Sequence, residues 1–167
     1  PLEIWWARDG RRLVTVSSST IAIHGPRGRL LRVVPLPAGL VAGGSAIAPG
    51  GLRLAVIARH PGAEAASELL VVRLDRAEPP RRVLSLPGPF EGLTWSIDGS
   101  LLVVGRPRAD EWLYVRPRAS ARLQSVEGVR ELFDGGTAPR TGAFPRPAGW
   151  CYAEPVDRTT SGQPPCS

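Results

Sequence analysis

Lysine and methionine are both missing from this 167-residue sequence. All 21 basic residues are therefore arginine, the usage expected of a high-GC bacterial genome, because arginine codons are GC-rich and lysine codons AT-rich. A phosphate loop of the Gly-rich type ends in lysine, so the lack of lysine excludes one. Without methionine, Pro1 is not expected to be a translational start, and the chain is expected to be the C-terminal part of a longer protein.

Histidine and cysteine are scarce, with two of each. A closed zinc site needs four ligands, and two thiols without neighbouring histidines do not supply them. Cys151 and Cys166 both lie near the C-terminus, where a disulfide would close only a tail. A bonded pair and two free thiols are equally compatible with that placement. Long hydrophobic runs are lacking as well. The most apolar stretch, Leu36 to Pro49, is interrupted by Pro37, Gly39, Gly43 and Gly44, and falls short of the ~18 residues that span a bilayer. No membrane span is expected.

Catalytic patterns are also missing. Gly43-Gly44-Ser45-Ala46-Ile47 lacks the second flanking glycine of a nucleophile elbow. His24 precedes a Gly-Pro turn and His60 precedes Pro61, so both are expected to be exposed turn residues. Asp9 and Asp98 sit in turns with no cluster of further oxygens, which calcium would require. These gaps predict a chain that is not an enzyme and that has no cofactor and no metal.

The net charge of +6 raises nucleic-acid binding, which needs cations gathered on one face. Here they are scattered, as at Arg11-Arg12, Arg27, Arg29, Arg53 and Arg81-Arg82, and read as solvated turn charges. No nucleic-acid partner is expected.

What the sequence does contain is turns between apolar runs. Hydrophobic residues make up 43% and charged residues 22%, a globular balance. The 19 glycines and 18 prolines fall between the apolar runs, which marks an all-β protein. One unit recurs three times: Trp6 to Val14, Ile47 to Ala55 and Trp95 to Val103. Each opens on a large apolar residue and turns through Asp9-Gly10, Gly50-Gly51 or Asp98-Gly99. A β-rich run follows. Asp-Gly and Gly-Gly pairs suit such turns because glycine accepts positive φ without steric cost. The starts, at 6, 47 and 95, lie 41 and 48 residues apart, the spacing of repeats with four short strands each.

Further apolar runs fill each unit. They are Thr20–Ile23 and Leu30–Val34, then Leu69–Leu74 and Arg82–Leu86, then Trp112–Val115 and a weaker Leu123–Val126. Val129 to Phe133 has the pattern of a single helical turn. Phe144 to Trp150 resembles Phe90 to Trp95, so a lone strand is expected at 144–152. The polar, Pro- and Thr-rich residues 153–167 read as a disordered tail.

The segment Leu93-Thr94-Trp95-Ser96-Ile97-Asp98-Gly99-Ser100-Leu101-Leu102-Val103 resembles the TolB-like, WD-type β-propeller repeat. That repeat has a Trp-Ser-Pro-Asp-Gly turn before a hydrophobic strand. Ile97 replaces its proline, Pro49 keeps it in the second copy, and the first copy has Ala7 and Arg8 after Trp6. Asp110, Glu111, Trp112, Tyr114, Phe144, Pro145, Gly149, Trp150 and Cys151 are similar to the C-terminal end of uncharacterised bacterial propeller proteins.

The resemblance implies an all-β partial propeller of three four-stranded antiparallel blades, at about 2–36, 44–87 and 91–126, plus the trailing strand. It gives structural roles to Trp6, Asp9, Gly10, Ile47, Gly50, Gly51, Trp95, Asp98, Gly99 and Trp150, with the tryptophans packed between blades. Its implied function is a scaffold for an unknown protein partner, exported or in the cell envelope. An accessory propeller for a catalytic domain outside the chain is the alternative, and small-ligand or glycan binding comes third. Asp110, Glu111 and Trp112 form the candidate interaction loop.

Overall fold

A computed structural model of the protein describes residues 3–8, 10–62, 66–117, 123–134 and 144–147. Twelve strands among them form three four-stranded antiparallel sheets, each built from strands consecutive in sequence. Sheet 1 contains β1 (Glu3–Trp6), β2 (Leu13–Val16), β3 (Thr20–His24) and β4 (Leu30–Pro35). Sheet 2 contains β5 (Val41–Ile47), β6 (Arg53–Arg59), β7 (Ser67–Arg73) and β8 (Arg81–Leu86). Sheet 3 contains β9 (Glu91–Trp95), β10 (Leu102–Arg106), β11 (Glu111–Val115) and β12 (Leu123–Glu127). The one α-helix among the described residues, α1 (Val129–Asp134), covers the expected helical turn.

The sheets stack face to face, and the burial pattern of each strand follows from its place in the stack. Sheet 2 lies in the middle. Both of its faces are covered, so β6 is buried almost without interruption. Among the described residues sheet 1 has a neighbour on one side only, and β2 and β3 alternate between buried and half-buried residues. Period-two alternation is what one covered face requires.

Two apolar layers hold the stack. Between sheets 1 and 2 lie Val14, Val16, Ile21, Ile23 and Val34, facing Leu54, Val56, Leu70 and Val72. Between sheets 2 and 3 lie Ala55, Ile57, Leu69 and Val71, facing Trp95, Leu102, Val104, Leu113 and Val115. The first strands run side by side, β1 next to β5 and β5 next to β9, and so define a common axis.

The three repeat corners are built alike. Ala7, Ala48 and Ser96 each donate N–H to the carbonyl five residues on, at Arg12, Arg53 and Leu101 (2.9, 2.8 and 3.0 Å). The carbonyls of Ala7, Ala48 and Ser96 in turn accept the N–H of Gly10, Gly51 and Gly99. Those glycines have φ of 64°, 67° and 66°, the left-handed region that a Cβ disfavours. Register agrees, with Trp6 opposite Leu13, Ile47 opposite Leu54 and Trp95 opposite Leu102.

Two details differ from the sequence reading. Sheet 2 begins at Val41 rather than 44, because β5 takes up Gly43 in a register shift between Ala42 and Gly44 and continues through the glycines. Of the trailing strand expected at 144–152, only Phe144–Pro147 lies within the described residues, and it carries no strand. Pro145 and Pro147 have no N–H to offer a ladder. Asp9, Trp150, Cys151, Cys166 and the tail expected at 153–167 lie outside the described residues.

Candidate interaction surface

Besides the apolar layers, polar and aromatic side chains tie each sheet to the next. The Trp95 indole, 5% exposed, donates Nε1–H to the Ala46 carbonyl in sheet 2 at 2.9 Å. The Arg53 guanidinium sits over the same ring, 4.8 Å from its centroid, and donates to the Gly99 carbonyl at 2.7 Å. Between sheets 1 and 2, Trp5 donates to Ser45 Oγ at 2.7 Å, and Ser45 donates to the Glu3 carboxylate. Ser45, the serine of the rejected elbow, is thus a buried bridge between β1 and β5.

Three arginines reach forward from one sheet to carbonyls at the next. Arg32 donates to the carbonyls of Arg73 and Arg76, Arg53 to Gly99, and Arg81 to Pro117 at 2.6 Å. Read as solvated turn charges, Arg53 and Arg81 are instead inter-sheet ties. Residue type alone gives no signal for this, because the acceptors are backbone carbonyls on another sheet.

Within the third corner, Asp98 accepts from the Ser96 hydroxyl (2.5 Å) and from the Ser100 N–H (2.9 Å). These hydrogen bonds, the Ser96 one foremost, hold its carboxyl well below the usual range, at about 2. Asp98 is therefore occupied as a turn former. Gly50 and Gly51 form the matching corner of sheet 2.

The candidate loop Asp110–Glu111–Trp112 is engaged by the chain itself. Asp110, at φ 52°, accepts the Arg130 backbone N–H (3.1 Å) through Oδ1 and pairs with the Arg130 guanidinium, which anchors the start of α1. Glu111 is buried and ion-paired to Arg106. Trp112 donates to the Pro145 carbonyl at 2.8 Å. Phe144 is buried against Gly105, with Arg130 over its ring at 5.3 Å. Phe144–Pro147 therefore lies on the far face of sheet 3.

Among the described residues nothing covers the opposite end of the stack. The outward face of sheet 1 carries the rows Ile4–Thr15–Ala22–Val33 and Trp6–Leu13–His24–Leu30. Ile4, Trp6, Leu30 and Val33 are 57, 67, 54 and 48% exposed. Trp6, expected between two sheets, is on the surface because its face points away from sheet 2.

Among the described residues no group of three or more His, Cys, Asp or Glu could hold a metal ion, and no helix is long and apolar enough to cross a membrane. His24, in β3, makes long hydrogen bonds with Thr15 Oγ1 at 3.5 Å and the Gly28 carbonyl at 3.4 Å.

No family model matches the sequence, nor does any curated protein. Solved structures do match by shape. A Myceliophteria thermophila Cps50 (Swd1) β-propeller domain is similar at TM-score 0.55 and 13% identity, over 75% of this chain and 40% of that one. The three sheets are blades of a β-propeller. Kuenenia stuttgartiensis hydrazine synthase (TM-score 0.58, 13% identity, 75% of this chain and 41% of that one) is similar too. So is the Pseudomonas aeruginosa periplasmic gluconolactonase PpgL (0.53, 21%, 75% and 39%). The chain spans about two fifths of the length of these propeller structures.

These likenesses correct the expectation that the chain is not an enzyme. Proteins named as a gluconolactonase and a hydrazine synthase share the propeller fold, so missing catalytic motifs in blade strands do not argue against catalysis. The blade core specifies the stack and says nothing of the chemistry grafted onto it.

Proposed function

We propose that this chain is a segment of a larger β-propeller and works as a protein-binding scaffold. The observation that carries the reading is the open outward face of the first blade, where Ile4 and Trp6 on β1 and Leu30 and Val33 on β4 are all exposed. Folded proteins seldom leave such a face to water, and an exposed apolar face of this kind marks an interaction site. Three blades also fall short of the ~4–8 that close a ring.

The TolB-like, WD-type kinship belongs to the same proposal. It is supported by the Trp95-Ser96-Ile97-Asp98-Gly99 corner and by the repetition of its hydrogen bonds in all three blades. A dye that fluoresces on apolar surface tests the reading. The chain binds it, and Ile4→Lys with Val33→Lys removes the binding while the β-sheet circular dichroism is unchanged. A natively folded chain that binds no dye refutes it.

A further inference from the structure

We infer that the open face of the first blade is the seat of another blade of the same repeat, and that the seat dictates its chemistry. The inference rests on the propeller-segment reading and names the partner of that face. Three independent comparisons within the molecule carry it.

Trp6 and Trp95 hold equivalent positions, by register and by the hydrogen bonds of their corners. Both face toward the preceding blade. Trp95 finds one there and is 5% exposed, whereas Trp6 is 67% exposed. The same side chain in the same local frame is buried or bare according to its neighbour alone.

The corner glycines repeat the contrast. A Cβ on Gly51 would lie 3.1 Å from the Arg8 nitrogen and 3.2 Å from the Ala7 Cβ of the first blade. One on Gly99 would lie 3.2 Å from Arg53 Nη2 and 3.7 Å from Pro49 of the second. One on Gly10 would meet nothing within 4 Å. Two corners lean on the preceding corner, and the third has that space open.

The rows behind the corners agree. Ile47 and Leu54 of the second blade pack into the layer shared with the first, and Trp95 and Leu102 of the third into the layer shared with the second. Their counterparts Trp6 and Leu13 lie on the open face.

The occupant therefore presents what the second blade presents to the third. It has a backbone carbonyl placed like that of Ala46, to accept the Trp6 indole N–H. It has an arginine placed like Arg53, to lie over the Trp6 ring and donate to the Gly10 carbonyl. Its remaining surface is a flat row of small and aliphatic residues, like Ala46, Ala55, Ile57 and Leu69. A second copy fits less well, because its far blade face is already held by Phe144–Pro147.

The experiment places a copy of residues 37–89 ahead of residue 1, so that the copied second blade precedes the first as the original precedes the third. Hydroxyl-radical footprinting read by mass spectrometry then compares Trp6 with Trp95. In the original chain Trp6 oxidises fast and Trp95 slowly. In the extended chain Trp6 slows to the rate of Trp95, and Arg53→Ala confined to the copy restores part of its reactivity.

Fast oxidation of Trp6 in an extended chain whose added blade shows amide protection overturns the inference. So does Trp6 already protected in the original chain at dimeric mass, which assigns the seat to a second copy. The apolar-dye measurement stands apart. No dye binding by the original chain defeats the scaffold reading, whereas dye binding with an unprotected Trp6 in the extended chain defeats only the blade assignment.

Discussion

The Trp95 indole and the Ala46 carbonyl are joined by a 2.9 Å hydrogen bond across the interface of the second and third blades. An apolar layer thus contains one directional contact, and it holds the first strand of one blade at a fixed height on the next. Trp95→Phe removes that hydrogen bond and part of the buried ring and is expected to cost about 1–3 kcal/mol in urea unfolding. Trp6→Phe, on the bare face, is expected to stay within about 0.5 kcal/mol of the original chain. Equal effects at the two sites would contradict the burial contrast.

Arg53 performs two tasks with one planar group, lying over Trp95 and donating to the Gly99 carbonyl. Arg53→Met keeps much of the aliphatic packing and loses both. A loss of about 1–2 kcal/mol is expected, and Arg53→Lys recovers only part because a point charge does not reproduce the planar fork. Thermal unfolding of the three chains checks the order.

Gly105 is the contact point for Phe144. A Cβ there would stand 2.5 Å from Phe144 Cε1 and 2.6 Å from the Glu91 carbonyl oxygen. Gly105→Ala is expected to cost about 1–3 kcal/mol and to raise amide exchange in Phe144 and Arg146. Gly44→Ala meets only the Ile57 side chain at 3.9 Å and serves as the control.

Asp98 links stability to pH. Its carboxyl is lowered from 3.8 to about 2 in the fold, chiefly by the Ser96 hydroxyl and then by the Ser100 N–H. A depressed carboxylate contributes fully above its unfolded value and loses that contribution as pH falls through its folded one. The stability advantage of the original chain over Asp98→Asn is therefore constant at neutral pH and declines from about pH 4 to about pH 2. Urea midpoints at several pH values read it directly. An advantage independent of pH would mean that Asp98 acts by shape alone.

Asp110 holds a left-handed conformation and the first turn of α1 together. Asp110→Asn keeps the side-chain oxygen and tolerates the positive φ, so it is expected to be mild. Asp110→Ala loses both and is expected to cost about 1–2 kcal/mol, with faster exchange at Arg130. Hydrogen exchange resolves the two variants.

The sequence by itself determined the local architecture. Strand period, the Asp-Gly and Gly-Gly corners and their spacing act over a few residues, and they specify three four-stranded antiparallel units before any two units meet. Only the tertiary structure decided what each side chain faces. Trp6 and Trp95 read alike in the chain, yet one is buried and the other bare, because burial depends on a neighbouring sheet that no local pattern encodes. The ties from Arg32, Arg53 and Arg81, and the engagement of Asp110 by Arg130 and of Trp112 by the Pro145 carbonyl, were likewise illegible. Their partners are distant in sequence or are backbone carbonyls, which carry no residue signature.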